Sequence, residues 1–180
     1  MDFILVIVAF LLFFIYDKNQ IALHIKWLQP AFFIGCICLV SGTAYSYILS
    51  WHDNVSYGYL AIAMLFLALL IYVLFFALPF SSTYVSESAN KVCKTGIYAL
   101  CRHPGFWMLA GCTLFLTLSV NTWHMFLISL LVNSGNLMYI YYQDQITFPC
   151  QFVDYKDYKK DVPFLIFNLA SIRKCIQTWR

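Results

Sequence analysis

The strongest constraint in this chain is the placement of its charges. Asp, Glu, Lys and Arg are absent from Phe3 to Tyr16, Trp27 to His52, Asn54 to Ser86 and His103 to Gln143. Burying such a side chain near the centre of a bilayer costs roughly 2.5 to 3.5 kcal/mol even on lenient insertion scales, so runs of this kind mark membrane spans. The last run is too long for one helix, and Asn121-Thr122 separates its apolar halves as the turn of a hairpin. The expected fold is therefore all-α, a polytopic membrane protein with about five transmembrane helices at 3–16, 30–51, 57–80, 104–120 and 123–142, followed by a helical tail, 143–180. The first span is the shortest: its 14 residues rise only about 21 Å, against a hydrocarbon core of about 30 Å. No positive residue precedes it and no small-x-small site follows it before Asp17, which argues against a cleaved signal peptide.

Composition agrees. Of 180 residues, 62% are hydrophobic and 11% charged, and the mean hydropathy is +0.75; soluble domains carry roughly a quarter charged residues. The net charge of +3 comes from scattered side chains, which excludes a nucleic-acid-binding arm. The length accommodates one membrane domain, 1–180, with its chemistry in loops and helix ends. All 11 basic residues fall on one face of the five-span arrangement. By the positive-inside rule the loops 17–29 and 81–103 and the C-terminus are expected in the cytoplasm.

The seven cysteines form no metal pattern, since the closest pair, Cys36 and Cys38, lies mid-span without a histidine at ligand spacing. No metal and no disulfide are expected. Phosphate-loop and serine-hydrolase arrangements are missing as well.

Two stretches rise above composition. Asn90 to Phe106 contains Gly96-Ile-Tyr98 and Arg102-His103-Pro104, placed where the fourth span begins. Proline suits the first turn of a helix, and free N–H groups at a helix start attract anions. The simpler reading of this segment is an arginine at the headgroups followed by a proline start. In the tail, Phe148, Phe152, Tyr155, Tyr158 and Val162 recur at helical spacing opposite Asp154, Lys156, Asp157, Lys159, Lys160 and Asp161. They predict one helix opened by Pro149, its aromatic side on the membrane domain. Beyond Pro163, Leu165, Leu169, Ile172, Ile176 and Trp179 share a face that suits an interfacial helix.

Together, residues 90–163 resemble the isoprenylcysteine carboxyl methyltransferase and phospholipid methyltransferase superfamily of membrane-embedded enzymes. The shared pattern is Gly-x-Tyr, Arg-His-Pro, a helical hairpin, and Tyr155-Lys-Asp-Tyr158-Lys-Lys-Asp-Val162-Pro163. The resemblance implies S-adenosylmethionine as cofactor, held by Asn90, Lys91, Val92, Cys93, Tyr98, His103, Pro104, Gly105 and Phe106. It implies methyl transfer to a lipophilic or small acceptor at the cytoplasmic interface, by in-line displacement from a sulfonium. That chemistry requires close positioning in a dry site and no metal. The bilayer and this acceptor are the expected partners.

Several residues depart from the family pattern. Phe106 stands where tyrosine is usual. Gln143 occupies the position of a glutamate that would face the cofactor's ammonium, and Asp144, next to it, is a substitute. Tyr139 replaces an arginine that pairs with a substrate carboxylate, so an uncharged acceptor is expected. Arg102 is the one basic residue adjoining a span near the motifs and the alternative contact for a carboxylate acceptor. His103 and Asp144 are the candidate catalytic bases, His103 because its ordinary pKa is near neutrality. The alternative is a non-catalytic membrane scaffold that retains the fold.

Overall fold

The structure, a computed structural model, describes residues 1–77 and 91–179. The described residues are helical, with no strand. In lipid every backbone N–H and C=O must be satisfied by the protein itself, and a helix does this within its own segment. Helix α1 (Asp2–Lys18) runs on through a π-helical turn, Asn19–Leu23, and stops at His24 in the left-handed region. α2 (Ala31–Leu49) begins after Pro30, and α3 (Tyr57–Ile71) is extended by a second π-helical turn, Tyr72–Phe76. α4 (Ile97–Leu100) is a single turn. α5 (Pro104–Val120) and α6 (Trp123–Tyr142) form a hairpin. Asn121, at φ 46°, ends α5, and the Thr122 hydroxyl accepts from the Met125 N–H to start α6. A third π-helical turn, Gln143–Thr147, leads into α7 (Phe148–Gln151), then α8 (Tyr155–Asp161) and α9 (Leu169–Thr178).

Four helical stretches are long and apolar enough to cross a membrane: Asp2–Leu23, Lys26–Leu49, Tyr57–Phe76 and Trp123–Gln151. Pro104–Val120 is apolar but shorter. The molecule is thus a helical membrane protein. Its first helix corrects the sequence reading, because the apolar stretch has 22 residues and not 14. The aspartates that bounded the charge-free run are paired inside the bundle. Asp2 accepts from Ser46 Oγ at 2.6 Å and lies 2.6 Å from His124 Nε2, and Asp17 accepts from Tyr139 and Thr147. Residues 78–80 of the expected third span lie outside the described residues.

α1 packs on α2 and α6, α3 packs on α5, and α5 and α6 pack on each other. Val6, Phe10, Phe13, Ile128, Val132 and Tyr139 form the main core between α1 and α6. Glycines let these helices approach closely, as expected where lipid supplies no hydrophobic drive between them. A Cβ at Gly135 would lie 2.5 Å from the Phe10 ring, and one at Gly111 2.5 Å from the Phe66 ring. Gly135→Val and Gly111→Val are each expected to cost about 1–3 kcal/mol by overpacking. Thermal unfolding in detergent measures this, and parent-like melting of both variants would contradict the packing.

The tail also departs from expectation. Its aromatic stripe does not ride on one helix: the chain breaks at Phe152–Asp154, with Phe152 in extended conformation. Asp154 is drawn instead to the segment before α4, where it accepts the Val92 N–H at 2.9 Å and pairs with Lys94 at 2.8 Å. The stripe survives the break. Phe152, Tyr155, Tyr158 and Val162 still form one buried cluster, with Val92 and Phe148 against it. In α9, Ser171 and Cys175 are buried, whereas Leu169, Ile172 and Ile176, with Trp179 just past its end, are exposed.

Candidate functional site

The segment leading into α5 is fixed at several points. Gly96 (φ 59°, ψ −135°) adopts a backbone that side-chain-bearing residues avoid, and its N–H donates to Thr178 Oγ1 at 3.0 Å, tying α4 to α9. The Tyr98 hydroxyl donates to the Val73 carbonyl at 2.9 Å, while the Tyr98 carbonyl accepts from the Tyr158 hydroxyl at 2.6 Å. The Arg102 N–H donates to the Pro163 carbonyl at 3.0 Å. Pro104 is the first residue of α5, where its missing N–H costs nothing. The two motif stretches, about sixty residues apart in the chain, are therefore hydrogen-bonded to each other.

They close around Asp144, which is fully buried. Its Oδ1 accepts from the Tyr155 hydroxyl at 2.7 Å and faces Arg102 Nη1 at 3.3 Å and His103 Nε2 at 3.7 Å. Its Oδ2 lies 3.0 Å from both Lys159 Nζ and Gln145 Nε2. The Arg102 guanidinium also sits 5.5 Å over the Phe164 ring, and the His103 ring stacks on Phe148. Arg102 Nε, Arg102 Nη1 and His103 Nε2 are buried without a hydrogen-bond partner. Arg102 and His103 thus pair with Asp144 by proximity, short of aligned hydrogen bonds. Burial pushes the His103 imidazole below its ordinary pKa, and the Asp144 carboxylate only partly offsets this.

The sign of the resulting pH effect is fixed. A histidine whose folded pKa is depressed takes up its proton in the unfolded chain first. Its stability contribution is complete above about pH 6.5 and is lost as pH falls below that value. The melting temperature is expected to drop from pH 7 to pH 5 more steeply in the parent than in His103→Phe. Equal slopes would contradict the assignment.

The structure brings Arg102, His103 and Asp144 together. Pro104 and Gly105 adjoin them at the start of α5, and Phe106 meets Trp107 edge-on. Gly105 faces protein, since a Cβ there would touch Leu70 and Leu74 at 3.6 Å. Lys91 is exposed, Val92 is bound to Asp154, and Cys93 Sγ lies 3.6 Å from Thr95 Oγ1. Asn90 lies outside the described residues. Tyr139 and Gln143 belong to a neighbouring centre. There the Tyr139 hydroxyl donates to Asp17 Oδ1 at 3.0 Å and accepts from Gln143 Nε2 at 2.8 Å, and Thr147 Oγ1 donates to Asp17 Oδ2 at 3.1 Å.

Sequence reasoning missed Lys159, Thr147 and Asp17 as site residues. Lys159 was within reach, because it follows Tyr155 by four positions and so shares its helix face. Nothing local pointed from Asp17 to a tyrosine in α6. Compared with protein-family models, with curated proteins and with solved structures, the chain finds no match.

Proposed function

We propose that this chain is a membrane-embedded methyltransferase of the isoprenylcysteine carboxyl methyltransferase and phospholipid methyltransferase type, with S-adenosylmethionine as cofactor. In this reading α1, α2, α3, α5 and α6 all span the bilayer. The amino terminus and the turns near Asp53 and Asn121 face outward, and the basic loops and the tail face the cytoplasm. The observation that carries the reading is the meeting of the two motif stretches at one buried polar centre: Arg102 to Pro163, Tyr158 to Tyr98, and Tyr155 to Asp144.

The residues present fit the cofactor. Arg102 Nη1, Arg102 Nε and His103 Nε2, buried at the start of α5 beside Asp144 and in no aligned hydrogen bond, form a donor set suited to a carboxylate. The cofactor supplies an electrophilic methyl group on sulfur. Arg102 and His103 would hold its anionic end, with the Phe148 and Phe164 rings against His103 to exclude water. The His103 imidazole, kept neutral by burial, would carry its one proton on Nε2 toward the carboxylate and would take a proton released by the acceptor on Nδ1. Asp144, with both oxygens taken up by protein donors, orients Arg102 and His103 and is the lesser base. Tyr139, in place of a cation, is bound to the Asp17 carboxylate, which would repel a carboxylate acceptor. The acceptor is an amine, a thiol or a lipid without a free carboxylate.

That same saturation of Asp144 favours the second reading, a scaffold that keeps the fold without the chemistry. Transfer of labelled methyl from S-adenosylmethionine to a total lipid extract, by the purified chain in nanodiscs, separates the two. The expected product is a methylated amine, thiol or phospholipid. Formation of a base-labile methyl ester on a prenylated cysteine alone would contradict the acceptor assignment, and no transfer to any acceptor would favour the scaffold.

A further inference from the structure

The tail carries an apolar ridge that the described residues leave open. Ile166 is 82% exposed, Leu169 85% and Ile176 71%, with Phe167, Ile172 and Trp179 exposed beside them. In α9, Leu169, Ile172 and Ile176 recur at three- and four-residue spacing and so share one side. Ser171 and Cys175, on another side, are buried where α9 packs on α4, and Thr178 holds the Gly96 N–H. The helix is thus fixed to the protein along one side and presents the other. It carries Arg173 and Lys174 and no acidic residue, the composition of a helix that lies in a membrane surface.

Position decides what covers the ridge. Trp107 Nε1 donates to the Leu165 carbonyl at 3.1 Å, and the Trp107 ring meets Phe167 edge-on, 6.4 Å between centroids. Trp107 lies in the first turn of α5, and Leu114 and Leu118 are exposed further along the same side of that helix. The ridge therefore continues an apolar side of α5 that faces lipid wherever α5 spans. The tryptophans point to the same depth. Of the five, four flank spans: Trp27 just before α2, Trp51 just after it, Trp107 at the start of α5 and Trp123 at the start of α6. Tryptophan gathers at the level of the headgroups, and Trp179 is the fifth.

We propose that Ile166 to Trp179 is a membrane-surface docking site, seated where headgroups meet acyl chains beside the start of α5, with Arg173 reaching the lipid phosphates. It goes beyond the methyltransferase reading and rests only on the placement of α5 and α6 across the bilayer.

Quenching of tryptophan fluorescence tests this on the full chain, reconstituted in vesicles of phosphatidylcholine and phosphatidylglycerol whose acyl chains are brominated near the headgroups. The Trp179 contribution is the difference between the parent and Trp179→Phe, and Trp123→Phe gives the same measure for the far end of the α5–α6 hairpin. The Trp179 contribution is expected to fall in brominated vesicles by about as large a fraction as that of Trp123, and to resist iodide in the water. Ile176→Asp puts a charge on the ridge and leaves the side that packs on α4 intact. It is expected to abolish lipid quenching at Trp179 and to keep it at Trp123. Quenching of Trp179 by iodide and not by brominated lipid would place the ridge in water, and shielding from both would place it against protein. Either overturns the docking, as does parent-like lipid quenching of Trp179 in Ile176→Asp. Absence of lipid quenching at Trp123 as well would overturn the spanning arrangement itself.

Discussion

Replacing Asp144 by alanine is expected to destabilise the protein by about 3–5 kcal/mol, the usual cost of removing one partner of a buried ion pair. The carboxylate is the point at which Arg102, His103, Tyr155 and Lys159 converge, and its loss leaves a guanidinium with a 10% exposed side chain facing an uncharged cavity. Tyr155→Phe removes a single 2.7 Å hydrogen bond and strands one carboxylate lone pair. Its expected cost is about 1–3 kcal/mol. Because Tyr155 and Asp144 share partners, their effects are expected to be non-additive, the double variant costing less than the sum. Denaturation in detergent measures all three. Parent-like stability of Asp144→Ala would mean that the centre is not held by these charges.

The size of that effect follows from long-range pairing, which is also what a sequence hides. The hairpin was legible to the residue: α5 ends at Val120 and α6 begins at Trp123, because Asn121 tolerates a left-handed backbone and Thr122 caps a helix. Membrane character was legible from the absence of charge over four runs. The true length of α1 was not. Reading it requires knowing that Asp2 is met by Ser46 and His124 and Asp17 by Tyr139 and Thr147, partners 44 to 130 residues away. A charge ends a span on paper only while its partner is unknown.

The site shows the same division. Arg102, His103 and Pro104 stood out because a charged, a titratable and a φ-restricted residue meet at a helix start, a pattern that a headgroup anchor with a proline start also produces. The stripe of Tyr155 and Tyr158 was legible as packing, and their hydroxyls turn out to join the two motif stretches. The break at Phe152–Asp154 was hidden, since local periodicity favours a continuous helix and the competing pull comes from Val92 and Lys94, about sixty residues earlier. Tyr139 and Gln143 were noted for the charges they lack. That their polar groups gather around Asp17 is a property of the α1–α6 contact and has no local signature.

Cofactor binding is the claim on which the functional account stands, and His103 is the residue that exposes it. Its Nε2 is buried without a hydrogen-bond partner at the start of α5, and its ring is fixed between Phe148 and Phe164. Replacement by alanine removes a donor and opens the aromatic enclosure, so loss of binding should exceed any loss of stability. Calorimetric titration of S-adenosylmethionine into the detergent-purified chain tests this most directly. The account predicts one site of micromolar to low-millimolar affinity in the parent and none in a folded His103→Ala variant. A parent that releases no heat with S-adenosylmethionine, or a His103→Ala variant that binds it as the parent does, would contradict it.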